Sequence, residues 1–120
     1  MKDDPYPVFT ALLTELGYPP VREFVFWPGR RFRWDYAWPD VKLALDVQGS
    51  VYTQGHHTRG KGYEDDCVKA NEAAIRGWVV LRCTPKHIEN GDAARWVLRA
   101  LEVRRDGCRG VLSQVRRERD

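Results

Sequence analysis

The chain has 120 residues, with 20 lysines and arginines against 17 aspartates and glutamates and a net charge of +3. That length holds one modest core and excludes a second catalytic domain, while so small an excess of positive charge does not by itself argue for a nucleic-acid partner. Cys67, Cys83 and Cys108 are odd in number and form no Cys-x-x-Cys pair, which indicates neither a disulfide framework nor a zinc finger.

No apolar run reaches the roughly 18 residues of a membrane span, and Met1-Lys2-Asp3-Asp4-Pro5 lacks the basic-then-apolar order of a leader. A cytoplasmic protein without a membrane partner is therefore expected. Asp4 is expected to cap and Pro5 to start a first helix, in which Phe9, Leu12, Leu13 and Leu16 recur at helical spacing before Gly17 ends it. Arg22 to Trp27 reads as a strand, Pro28-Gly29 as a turn and Arg31 to Ala37 as a second strand, the pair joined as a hairpin. After a turn at Pro39-Asp40, Val41 to Gln48 alternates as a third strand. Gly49 to Gly62 holds four glycines and the adjacent His56 and His57, and reads as a long loop of the kind that contacts a substrate. Tyr63 to Arg76 is expected as a helix capped by Gly77, and Trp78 to Cys83 as a dense apolar strand that Thr84-Pro85 stops. A last helix is expected from about Asp92 to Arg104, buried through Ala93, Trp96, Val97, Ala100 and Leu101, with Gly107 and Gly110 breaking the pattern after it. The order of elements predicts a single α/β domain with a mixed, mainly four-stranded sheet flanked by helices. It spans residues 1–104, with 105–120 as a basic tail that frays. The third strand, the helix and the fourth strand make a parallel crossover.

Alternation puts Phe32, Trp34 and Tyr36 on one side of the second strand and Arg31, Arg33 and Asp35 on the other. In the third strand Val41, Leu43, Leu45 and Val47 share a face opposite Lys42, Ala44, Asp46 and Gln48. If these strands pair as a hairpin, Asp35 and Asp46 come close enough to share a hard divalent cation, which relieves the repulsion between them. Alternation alone does not decide between this and two solvated aspartates at strand edges. Arginines cluster at Arg22, Arg30, Arg31 and Arg33 and again from Arg104 to Arg119, as suits either a phosphate backbone or a solvated surface.

The segments Arg33-Trp34-Asp35-Tyr36-Ala37-Trp38-Pro39 and Leu43-Ala44-Leu45-Asp46-Val47-Gln48-Gly49 resemble the motif core of the PD-(D/E)XK nuclease superfamily. More narrowly, the chain resembles small phage and bacterial endonucleases related to the very-short-patch repair type. The loop His56-His57-Thr58-Arg59-Gly60-Lys61-Gly62, the helix beginning Tyr63-Glu64-Asp65-Asp66 and the strand Gly77-Trp78-Val79-Val80-Leu81-Arg82 fit it too. The resemblance covers about Glu23 to Leu101 and implies a restriction-endonuclease-like core. One departure matters. Where the superfamily's motif ends in lysine this chain has Gln48, so the cation must come from elsewhere or be absent, with Lys69 favoured as its source and Lys61 next. Lys69 has a plainer reading as a helix-surface partner of Asp65 or Glu72.

The resemblance implies hydrolysis of DNA phosphodiesters to 5′-phosphate and 3′-hydroxyl ends by a metal-activated water. Mg²⁺ or Mn²⁺ would be held by Asp35, Asp46 and the Val47 carbonyl, and Glu23 is a candidate carboxylate for a second metal unless it pairs with an arginine. Gln48 would orient water but, as a neutral amide, is no base. His57 is a candidate acid or base, or a phosphate contact, and His87 reads as structural. Arg31, Arg33, Thr58 and Arg59 suit contacts to DNA. A homodimer would supply the two sites that cutting both strands needs. The alternative is a DNA-binding module that keeps this fold without catalysis, which the Gln48 departure favours. A zinc protein built on His56, His57 and Cys67 has poor tetrahedral spacing.

Overall fold

The computed structural model describes residues 3–30, 32–49 and 59–119, with the backbone alone for 59–61 and 106–119. Helix α1 (Pro7–Glu15) opens on Pro7, two residues later than expected, because proline suits a first turn whose N–H has no helical acceptor. Tyr6 occupies the cap position. Asp4 accepts hydrogen bonds from the Tyr6 amide at 2.9 Å, the Thr10 hydroxyl and the Tyr36 hydroxyl at 2.7 Å, and so ties the chain end to the sheet. Phe9 and Leu13 enter the core while Leu12 and Leu16 stay on the surface. Gly17 then ends the helix at φ 93°, a conformation open to glycine without a Cβ penalty.

Strands β1 (Val21–Trp27) and β2 (Phe32–Trp38) form the expected antiparallel hairpin, and β3 (Leu43–Val47) pairs antiparallel with β2. The third strand begins two residues later than its alternation predicts. Pro39–Val41 form a 3₁₀ turn, closed by the Lys42 amide on the Pro39 carbonyl at 3.2 Å, with Lys42 left-handed at φ 53°. Helix α2 (Arg59–Ile75) carries the chain to β4 (Val79–Cys83), which lies parallel to β3, and the sheet order is β1-β2-β3-β4. The helix starts earlier than Tyr63, so Gly60, Lys61 and Gly62 of the expected loop belong to its first turns.

A short helix α3 (Pro85–Glu89) follows β4, where Thr84-Pro85 was expected only to stop the strand. His87 holds its start by accepting the Thr84 amide on Nδ1 at 3.0 Å, and its ring meets Trp96 edge-on at 5.0 Å. That is the structural role expected of it. Helix α4 (Asp92–Arg119) does not stop near Arg104 but continues through Gly107 and Gly110. An isolated glycine costs a helix about 1 kcal/mol relative to alanine, which lowers its stability without ending it. Among the described residues no helix is long and apolar enough to cross a membrane.

Helices cover both faces of the sheet. Phe9 and Leu13 of α1 and Ala93, Val97 and Leu101 of α4 pack on Tyr36, Trp38, Leu43, Leu45 and Cys83. On the other face Ala73 of α2 packs with Phe26, Trp34, Ala37 and Ala44. The expectation that Phe32, Trp34 and Tyr36 share a face is therefore wrong for Tyr36, which lies opposite Trp34. The alternation changes sides between them, at Asp35. Across β1 the facing residue is Glu23, set between the Arg22–Tyr36 and Phe24–Trp34 pairs, and its φ of 51° interrupts the regular pleat. The irregularity sits where the two faces of the sheet exchange, beside the acidic pair.

Candidate active site

The β2–β3 register pairs Trp38 with Leu43, Ala37 with Ala44 and Tyr36 with Leu45, and one step further Asp35 stands across from Asp46. Asp35 accepts the Val47 amide on Oδ2 at 2.7 Å, which holds its side chain against β3. Gln48 anchors its backbone to β4 by donating to the Cys83 carbonyl at 2.7 Å, and its amide donates from Nε2 to Asp46 Oδ2 at 2.9 Å. The parallel register puts Arg82 beside Asp46 from the other side.

This setting raises the Asp46 carboxyl to about 6. Burial contributes most, and the hydrogen bond and charge of the Asp35 carboxylate add to it, while Lys69 and Arg82 pull the other way. Two carboxyl groups this close do not both ionise comfortably unless a proton or a cation stands with them. The donor set is all oxygen, which fits a hard divalent cation such as Mg²⁺ that takes one or two carboxylates and completes its shell with water. Glu23 lines the same cleft as Asp35 and Val47. No three Asp, Glu, His or Cys side chains among the described residues converge on one metal position, so Glu23 is not brought into a three-carboxylate cluster.

Two clefts flank the pair. One, of about 380 Å³, opens toward α1 and is lined by Tyr6, Arg22, Glu23, Asp35, Tyr36 and Val47 among others. The other, of about 220 Å³, lies between the sheet and α2, with Asp46, Trp34, Asp66, Lys69, Trp78 and Arg82 in its walls. Lys69 thus shares a cleft with Asp46. Its ammonium donates to the Arg33 carbonyl at 2.6 Å and lies 4.4 Å from the centre of the Trp34 ring. The plainer reading of Lys69 fails on its partners, because Asp65 pairs with Arg30 at 3.6 Å and Glu72 pairs with Arg76.

Near the start of the chain, burial works against the Asp4 carboxylate, but its bonds from Thr10, Tyr36 and the Tyr6 amide, with the Arg22 charge, hold it below the usual range. Burial, with the Asp35 and Asp46 charges behind it, pushes the Cys83 thiol up to about 11, so it stays a protonated core residue.

Of the residues expected at the site, the fold brings Asp35, Val47 and Glu23 to one cleft and Asp46 and Lys69 to the other, with Gln48 bonded to Asp46. Arg33 is exposed on β2 next to them and contributes its carbonyl to Lys69. Arg31, His56, His57 and Thr58 lie outside the described residues, and Arg59 and Lys61 are described by backbone only, in the first turn of α2. Sequence reasoning missed Arg82, Asp66 and Trp34. Arg82 carried a signal, being the single charge in the apolar run Val79-Val80-Leu81-Arg82-Cys83. Asp66 carried none, as one acid among three on the first exposed turns of a helix. No protein-family model matches the chain, and comparison with curated proteins and with solved structures finds no match.

Proposed function

We propose that the chain is a metal-dependent DNA endonuclease that hydrolyses phosphodiester bonds to 5′-phosphate and 3′-hydroxyl ends. The observation that carries this reading is the Asp35–Asp46 pair, two carboxyl groups side by side on neighbouring strands with Asp46 raised to about 6. Bound Mg²⁺ or Mn²⁺, held by Asp35 and Asp46, would supply the neutralising charge and the acidified water that phosphodiester hydrolysis requires. The chain's own groups divide the remaining work. The Val47 amide fixes Asp35, and the Gln48 amide fixes Asp46 and keeps one of its oxygens turned to a neutral donor. Lys69 brings a positive charge into the cleft from α2, where the missing motif lysine would otherwise have stood on β3. Arg82 adds a second, and both suit the charge that develops on a phosphoryl group under attack. Arg33, with Arg31, Thr58 and Arg59, would contact the backbone to either side.

The competing reading is a DNA-binding module without catalysis, favoured by Gln48 spending its amide on Asp46 rather than offering a cation. Incubation of supercoiled plasmid, and of duplexes carrying a mismatch, nick or branch, with Mg²⁺ and with EDTA separates the two. Cleavage that stops in EDTA is expected. Tight, salt-dependent binding with no cleavage on any substrate would establish the binding module instead.

A further inference from the structure

Trp34 stands next to Asp35 in β2, so the strand that sets the carboxylate also sets the indole. The ring is 2% exposed and cannot swing: it stacks on Phe26 with centroids 4.5 Å apart and planes 14° from parallel, and Trp78 lies 6.4 Å away. Against this ring, 4.4 Å from its centre, lies the Lys69 ammonium, which also donates to the Arg33 carbonyl at 2.6 Å. Lysine is a long side chain with many rotamers, and two contacts of different kinds on one strand restrict it. Of the acids one turn away on α2, Asp65 and Glu72 are held by Arg30 and Arg76, while Asp66 shares the cleft wall with Lys69.

The choice of tryptophan needs a reason. Its Nε1 is buried and has no hydrogen-bond partner among the described residues. An unpaired buried donor is unfavourable, and phenylalanine would fill an apolar site without one. What tryptophan offers beyond phenylalanine is the strongest aromatic face for a cation. We infer that Trp34 is the positioning residue of Lys69, its buried indole face and the Arg33 carbonyl together holding the ammonium in the cleft of Asp46 for phosphodiester hydrolysis. The inference rests on the nuclease reading for its purpose, and on the ring contact for its mechanism.

The test is a double-mutant cycle in the full chain, with Trp34→Leu, Trp34→Phe and Lys69→Met followed by single-turnover cleavage in Mg²⁺. DNA affinity is measured in Ca²⁺, and thermal unfolding checks each variant. Trp34→Leu is expected to lower the cleavage rate by about 10-fold or more with affinity changed by less than about 3-fold, as misplacement of a positioned group does. Trp34→Phe, which keeps a weaker aromatic face, should recover only part of that loss. In the Lys69→Met background Trp34→Leu should cost less than about 2-fold, because the two act through one interaction. Independent, multiplying losses would make Trp34 merely structural and overturn the inference. A second readout does not depend on activity or on Trp34→Leu folding: the Lys69 ε-methylene protons should be shifted upfield by the ring in wild-type protein, and less so in Trp34→Phe. Unshifted protons would overturn the cradle. A wild-type protein that cleaves nothing would overturn the nuclease reading and the cradle's catalytic purpose, whatever the shift.

Discussion

Asp4 and Asp46 are both partly buried carboxylates, and their surroundings drive them in opposite directions. Asp4 collects the Thr10 and Tyr36 hydroxyls, the Tyr6 amide and the nearby Arg22, and is held below the ordinary range. Asp46 has the Gln48 amide, a second carboxylate beside it and two cations further off, and rises to about 6. The first site is complete in itself and fastens the chain end to β2. The second is left short of positive charge, which is the condition under which a divalent cation binds usefully. Burial raises both carboxyls, and what separates the structural carboxylate from the candidate ligand is that the donors around Asp4 outweigh it while those around Asp46 do not.

The contrast breaks hardest at Asp46. Asp46→Asn should reduce single-turnover cleavage by at least about 1,000-fold, because a hard cation loses one of few anionic oxygens. The protein should remain folded by circular dichroism, and DNA binding should persist or strengthen. Near wild-type turnover by this variant would refute the site. Gln48→Ala, which leaves the carboxylate and removes only its fixed donor, should cost on the order of 10 to 1,000-fold in the same assay.

Asp4→Asn should do the reverse. It should destabilise the fold by about 1 to 3 kcal/mol, measured by denaturant unfolding, since the network of donors loses the negative charge and one of its two acceptor oxygens, while the folded fraction cleaves at an unchanged rate. A variant as stable as wild type would show that the network is idle.

The smallest effect is the most diagnostic, because the two groups carry opposite signs. Asp46 binds its proton more tightly folded than unfolded, so its contribution to metal-free stability is full below the unfolded value near 3.8 and is lost as pH rises through about 6. Asp4, held low, contributes stability above its unfolded value and loses it as pH falls through its folded value. Thermal unfolding without metal should therefore weaken between about pH 4 and pH 6 on account of Asp46, and Asp46→Asn should flatten that slope while Asp4→Asn leaves it. Millimolar Mg²⁺ should raise the melting temperature well above pH 6 and little near pH 4, where the proton holds the site. A metal effect that is the same at both would argue that the cation binds elsewhere.

Much of this was legible in the amino-acid order. Strand patterning from Arg22 to Val47, with Pro28-Gly29 and Pro39-Asp40 between the runs, points to two successive hairpins, which bring Asp35 opposite Asp46. A helical segment between two apolar strands determines the parallel crossover to β4. These are local properties, carried by neighbours in the chain. Four things were decided only by the tertiary fold. The change of face between Trp34 and Tyr36 lies across from the left-handed backbone of Glu23 on the adjoining strand, which no pattern within β2 encodes. The start of α2 at Arg59 overrides Gly60 and Gly62, since helix breakers raise the cost of a helix without forbidding it. Arg82 meets Asp46 through a register between strands separated by a whole helix. Lys69 finds Trp34 and Arg33 across the space between helix and sheet, while Asp65 and Glu72, two of the acids at helical spacing from it, pair with Arg30 and Arg76. A side chain's partner is settled by the three-dimensional competition among all the groups within reach, and spacing along one element reports only those on that element.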